Sequence, residues 1–222
     1  GSTGIILYVK LKLLKLRSSY IEIKKKRFDS LLKGYKILER SKAIYNQNSF
    51  HINLNKKKKI SGIIFSGNFT KNEIKKKLLK TVDVPKIRLG FLKNKYFLLI
   101  FHKLIVIFQK YLSARKIHIN SAFYPSNQRV AYFALMPKKF IEFQNIVPTK
   151  NIKIYLEKLE KLIIIHEPKI TLGHLKIFQG KKKFLRFNGT GLAITLHIII
   201  DKNFKKFYLE LLNLDNEYNC IV

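Results

Sequence analysis

The sequence predicts an α+β protein: an antiparallel or mixed sheet covered by helices on one face, preceded by an extended basic segment. Three observations lead there. Apolar runs such as "RVAYFALM" (residues 129–136) and "GLAITLHIII" (residues 191–200) read as strands. Between and after them, apolar residues return at helical spacing. Ahead of both, residues 1–95 are lysine-rich and interrupted by "SGIIFSGN" and "DVPK". The chain therefore divides into a basic extension, residues 1–95, and an α/β domain, residues 96–222.

Within the extension, "FDSLLKGYKILERSKAIY" carries a helical spacing that Asp29 or Ser30 can start. "NEIKKKLLKTV" reads as a second short helix with Asn72 as its cap. No compact-domain pattern joins these pieces, so the extension is expected to gain order on RNA or protein. Residues 96–113 read as a helix. Its apolar stretch is interrupted by His102 and Lys103 and falls short of the ~20 residues a membrane span needs. "RKIHIN" is a short strand or extended link, and "SAFYPSNQ" is a turn-rich connection. Pro137 ends the strand of residues 129–136. In "VPTKNIKIYLEKLEKLIIIH", Thr149 caps a helix whose Ile152, Tyr155, Leu156, Leu159 and Leu162 share a face. "EPKITLGHLKIFQGKKKFLRF" is a strand followed by a loop. "GLAITLHIII" is the best strand in the chain, expected to be buried because it tolerates almost no charge. "DKNFKKFYLELLNL" is an amphipathic helix with Asp201 at its cap and Phe204, Phe207 or Tyr208, Leu211 and Leu212 inward.

Charge narrows the function. The chain has 222 residues, with 45 Lys+Arg against 13 Asp+Glu and a net charge of +32. A compact fold carrying that charge repels itself, and a bound polyanion relieves it. Nucleic acid is the first candidate and an anionic membrane surface the second. Lys24 to Lys26, Lys56 to Lys59, Lys75 to Lys77 and Lys181 to Lys183 form separate runs, which suits a chain in contact with phosphates on several sides. Lysine far exceeds arginine, and Ile, Asn, Phe and Tyr are abundant. That bias matches AT-rich codons, as in an organellar genome. Lysines interrupt the first apolar run, which therefore does not read as a secretory signal. Cys220 is the single cysteine, so no intrachain disulfide forms, and no zinc spacing is present. The acidic residues are scattered, without the clustered carboxylates of metal-dependent nucleases. Glu157 and Glu160 are placed to pair with nearby lysines on a helix surface. His102, His118, His166, His174 and His197 have no evident nucleophile beside them. The expectation is a non-enzyme without a cofactor or metal.

The segment "KKKFLRFNGTGLAITLHIII" sets a cationic loop directly against an apolar strand. Gly180, Gly189 and Gly191 permit turns and close approach. Lys181, Lys182, Lys183 and Arg186 are candidates for phosphate contact, which gives affinity without sequence readout. Phe184 or Phe187 either stacks on an unpaired base or packs into the core.

The order of motifs over residues 97–215 resembles the universal large-subunit ribosomal protein five, the L-five family. A helix leads through the proline-containing link "NSAFYPSNQRV" to a strand at Arg129 and Val130. The family's Gly-Gln-Lys-Pro-x-x-Thr is matched by "HEPKIT", with Pro168 and Thr171 in step. Its Ile-Gly-x-x-Val-Thr-Leu-Arg strand is matched by "TGLAITLH", with Gly191, Thr195 and Leu196 aligned. Its last helix is matched at Phe204, Phe207 and Leu211. His197 replaces the family's arginine, and Met136 is followed by Pro-Lys-Lys in place of Asn-Met-Gly-x-Gly-Glu. The family's second half has no counterpart, so a truncated protein, or one completed by a separate chain, is expected.

The resemblance implies a structural constituent of the large ribosomal subunit at the central protuberance. Its expected partners are 5S or large-subunit rRNA, P-site tRNA and neighbouring ribosomal proteins, with no membrane. The intersubunit bridge lies nearby in the family. The codon bias then points to the mitochondrial matrix, with the plastid as the alternative. Candidate RNA-binding residues are Lys181, Lys182, Lys183, Arg186, Asn188, Thr195, His197, Arg129, Lys169, Lys56, Lys57, Lys58 and Lys59. The alternatives are a structural subunit of another organellar complex and a small-subunit ribosomal protein.

Overall fold

The computed structural model describes residues 5, 7–13, 18–42, 47–53, 60–71, 115–119, 139–180 and 187–222, with backbone alone for 42, 47–53, 115, 171 and 172. Its elements in chain order are β1 (Tyr20–Phe28), α1 (Leu31–Lys42), β2 (Gln47–Asn53), β3 (Ser61–Phe69), β4 (Arg115–His118), β5 (Phe140–Pro148), α2 (Ile152–His166), β6 (Ile170–Gln179), β7 (Thr190–Ile199) and α3 (Phe204–Glu217). The described strands form one sheet in the order β4-β1-β3-β2-β6-β7-β5. Every described pair is antiparallel. The fold is α+β, with the described helices on one face of the sheet.

Period-2 alternation explains β7. Leu192, Ile194, Leu196 and Ile198 point to the helices and are at most 1% exposed, while Ala193, Thr195, His197 and Ile199 face the other way and are only half-buried. The strand is thus fully buried on the helix-facing side and half-buried on the other, which no described helix covers. Phe143 and Val147 of β5 and Ile170 and Leu175 of β6 join the inward row. Onto it pack Ile152, Tyr155, Leu156, Leu159 and Ile163 of α2, and Phe207, Leu211 and Leu214 of α3. Leu162, Phe204, Tyr208 and Leu212 are half-buried at the margin. These are the helical faces that the sequence spacing predicts.

The helix starts differ in detail from expectation. A 3-10 turn, Thr149–Asn151, precedes α2, and no side chain caps that entry, so Thr149 is not the cap. Asp201 Oδ1 accepts the Asn203 amide at 3.0 Å just ahead of α3. Ser30 starts α1, its Oγ accepting the Lys33 amide at 3.2 Å. Asp29 forms an ion pair with Lys33 at 2.8 Å.

Strands from both sides of residue 95 share this sheet. Phe28, Leu31, Leu38, Ile60 and Ile64 belong to the same continuous core as the residues of α2, β7 and α3. The reading of residues 1–95 as an extension without compact pattern therefore does not describe β1, α1, β2 and β3. The reason is visible in "YIEIKKKRF": Lys24 and Lys26 fall on one face and Lys25 and Arg27 on the other, so cations hide the alternation. Lys25 keeps its ammonium 5.5 Å from the Phe65 ring centroid, laying its stem along apolar surface. The expected short strand at "RKIHIN" is present as β4. The helices expected at Asn72 and at 96–113, and the strand expected at 129–136, lie outside the described residues.

Two joints hold the parts together. β2 runs beside β6, and among the described residues Ile52↔Gly173 is their register pair. From α2, Glu160 reaches α1, and its Oε2 accepts the Leu31 amide at 3.0 Å. Glu160 thus satisfies a first-turn amide of another helix, a role its spacing from Glu157 did not suggest. Burial raises its pKa, and the Leu31 amide offsets part of that rise. Glu160→Ala leaves the amide without this partner and should cost about 1 kcal/mol in urea unfolding, as loss of a helix cap does. An unchanged midpoint would remove Glu160 from this role.

Candidate nucleic-acid interface

The uncovered side of β5, β7 and β6 assembles polar and aromatic groups from distant parts of the chain. Strand register sets Glu142 opposite His197, Gln144 opposite Thr195, and His174 on the far side of Thr195. His197 Nε2 lies 3.1 Å from Glu142 Oε2. Its ring stacks on Phe140, with centroids 6.0 Å apart and planes at 24°. The Gln144 amide donates to Glu142 Oε1. Lys176, exposed, stands opposite Ala193. Phe178 and Phe187 meet at 6.3 Å where the hairpin narrows toward its loop. The surface presents imidazole, amide, hydroxyl, ammonium and ring faces together, which suits hydrogen bonding and stacking with unpaired bases.

The hairpin between β6 and β7 closes tightly. The Gly180 amide donates to Gly189 O at 2.7 Å, and Thr190 Oγ1 donates to Gly180 O at 3.0 Å. A Cβ on Gly180 would lie 1.9 Å from Asn188 Oδ1, and one on Gly191 would lie 2.0 Å from Val147 O. Backbone approach requires glycine at 191, whereas at 180 the close atom belongs to the Asn188 side chain and the nearest backbone atom, Gly189 O, is 3.0 Å away.

Among the sequence-predicted site residues, Thr195 and His197 lie on the uncovered face, and Asn188 lies at the hairpin closure. Lys169 is elsewhere, at the opposite end of β6, where it forms an ion pair with Asp201 at 2.7 Å. Lys181, Lys182, Lys183, Arg186, Arg129, Lys56, Lys57, Lys58 and Lys59 lie outside the described residues. Sequence reading missed Phe140, Glu142, Gln144, His174 and Lys176 as one surface. Only the register of β5 against β7 and of β7 against β6 makes them neighbours.

A second polar cluster is sealed from solvent. Asp215 Oδ1 accepts from Tyr155 Oη and from Asn145 Nδ2, each at 2.6 Å, and Asn145 Nδ2 also approaches Tyr155 Oη at 2.7 Å. Asp215 is 2% exposed, and Asn145 and Tyr155 are fully buried. Burial raises the Asp215 pKa, and the Tyr155 and Asn145 hydrogen bonds counter it. Burial and the neighbouring carboxylate push the Tyr155 hydroxyl and the Cys220 thiol upward as well, so neither is an activated nucleophile. Among the described residues, Asp215 Oδ2 and Asn145 Oδ1 have no hydrogen-bond partner. No substrate reaches a group at this depth, and the cluster is structural.

The raised folded-state pKa of Asp215 fixes the sign of a pH effect. The folded chain binds this proton more tightly than the unfolded chain. The contribution is complete below the ordinary carboxylate range and is lost as pH rises through the raised value. Asp215→Asn keeps an acceptor for Tyr155 and Asn145 and removes the charge. Its stability relative to the parent chain should therefore improve as pH rises across that window, measured as the difference in urea midpoints. A difference independent of pH would show that Asp215 does not titrate on folding.

A shallow hollow of about 280 Å³ is lined by Ile165, His166, Glu167, Lys202, Asn203 and Lys206. His166 Nε2 is 2.9 Å from Glu210 Oε2 there, with no thiol or hydroxyl side chain in the lining. Among the described residues no group of His, Cys, Asp and Glu is arranged to hold a metal ion. No described helix is long and apolar enough to cross a membrane.

No protein-family model matches the chain, and no curated protein matches it. Among solved structures, a cysteine-to-alanine variant of berberine bridge enzyme aligns with a TM-score of 0.42 at 12% identity, covering 90% of this chain and 40% of that one. The chain thus spans less than half of that protein's length, and a likeness at this level carries no structural or functional argument.

Proposed function

We propose that the chain is a non-catalytic, RNA-binding constituent of the large subunit of an organellar ribosome, in the mitochondrial matrix. The observation that carries this reading is the net charge of +32 on a chain whose sheet leaves one face, with its polar and aromatic groups, free of described helices. Such charge needs a polyanion, and ring faces beside hydrogen-bonding groups suit unpaired bases. The sequence resemblance to the L-five family supplies the location: rRNA of the central protuberance, 5S or large-subunit, near P-site tRNA and the intersubunit bridge. The sequence matches that carry the resemblance fall in β6, β7 and α3 and in the cationic segment between β6 and β7. Neighbouring ribosomal proteins are the protein partners in this reading.

The test is sedimentation of tagged protein through a high-salt gradient. The chain should remain with large subunits after weakly held factors have left. Co-sedimentation with membrane complexes or small subunits, and none with large subunits, would overturn the proposal.

A further inference from the structure

Residues 7–13, "LYVKLKL", belong to no strand or helix, yet they carry the alternation of a strand. Ile5, Leu7, Val9, Leu11 and Leu13 fall on one side of that alternation, and Tyr8, Lys10 and Lys12 on the other. The apolar row is open to water: Ile5 90%, Leu7 87%, Val9 65%, Leu11 72% and Leu13 83% exposed. Phosphates neutralise Lys10 and Lys12 but bury none of these side chains. The row calls for a protein surface with an unpaired strand edge.

The chain itself carries such an edge. β5 is the last strand of the sheet. Ile146 exchanges both main-chain bonds with Ile221, Ile146 N to Ile221 O at 2.8 Å and Ile221 N to Ile146 O at 3.0 Å, so its polar groups point away from β7. By alternation those of Phe140, Glu142 and Gln144 do too. No described strand pairs with them. On the helix side of this edge, Ile141 and Tyr208 are half-buried beside Phe143, forming an apolar ledge. On the other side stands Glu142, exposed. An added strand would set Leu7, Val9 and Leu11 on the ledge and Lys10 or Lys12 beside Glu142.

The chain's own segment cannot reach that edge. β1 and β5 are separated by β3, β2, β6 and β7, a distance of about 24 Å at the usual strand spacing. The link from Leu13 to Ser18 spans at most about 18 Å when fully extended. We propose that residues 7–13 of one copy add as an outer strand to β5 of a second copy, reciprocally, so that the free chain forms a strand-exchanged dimer. This goes beyond the RNA reading and does not depend on it.

The test is sedimentation velocity of nuclease-treated full-length protein at high micromolar concentration. Dimer is expected, and salt should strengthen it by screening the repulsion between two basic chains. Association through residual RNA would weaken with salt instead and would overturn the proposal. Proline at both Val9 and Lys10 removes an amide that faces β5 whichever way the donor strand runs, in a segment outside the sheet, and should give monomer. Gln144→Pro removes an outward amide of the acceptor edge while sparing the bonds to β7, and should also give monomer. Mixing the two variants should restore a dimer, because each retains the half that the other lacks. A monomeric parent chain, a Val9→Pro, Lys10→Pro chain that still dimerises, or a mixture that stays monomeric would each overturn it.

Discussion

Ile194→Asp should abolish cooperative folding. Ile194 is 1% exposed in β7, between Asn145 of β5 and Leu175 of β6, and it points to the helix-covered side. A carboxylate there loses its hydration and finds no cation in the apolar row around it. Retaining its proton relieves the charge but leaves a polar group without a designed partner. Losing the isoleucine packing adds to the cost, for an expected total above about 4 kcal/mol, a large fraction of a domain's stability. Urea unfolding followed by circular dichroism measures it. Thr195→Val, one residue away on the uncovered face, should change stability by less than about 1 kcal/mol, since its side chain lies outside the core. Similar losses in the two variants would mean that β7 does not separate a core face from an open one.

Replacing Lys181, Lys182, Lys183 and Arg186 together by alanine should weaken binding to an rRNA fragment and leave the fold intact. Gly180, Gly189 and Thr190 close the hairpin through a main-chain bond and a threonine hydroxyl bond, neither of which uses these four side chains. Each lost phosphate contact should reduce the log–log salt slope by roughly 0.7 to 0.9, so four contacts reduce it by about 3. Titrations at several salt concentrations read that slope directly. Unchanged affinity and slope would show that these four residues do not hold rRNA. Binding measured with tRNA and with the small subunit would then separate the remaining roles.

The elements legible in the sequence are those whose period was uninterrupted. α2 and α3 repeat apolar residues at helical spacing, and the structure buries those faces; β6 and β7 were legible as strands, but which face each buries was not. β5 was not legible, because its pattern is broken at Asn145. That residue points inward and is fully buried, which reads as an error until Tyr155 and Asp215 are known to bond it. Those partners lie 10 and 70 residues away, beyond any local pattern. β1 was hidden by lysines on both of its faces. The candidate interface shared the fate of β5: without that strand, Glu142 and Phe140 have no visible relation to His197. Glu160 likewise looked like a surface charge, because α1 is distant from it in sequence.

The seam between β2 and β6 has a consequence for local opening. Among the described residues its register pair is Ile52↔Gly173, whereas β5, β7 and β6 are joined by long ladders. Amides at the seam should therefore exchange with solvent faster than those of β7, which is laddered on both sides. What keeps the two groups of strands in one sheet is then the apolar core beneath them, to which both contribute.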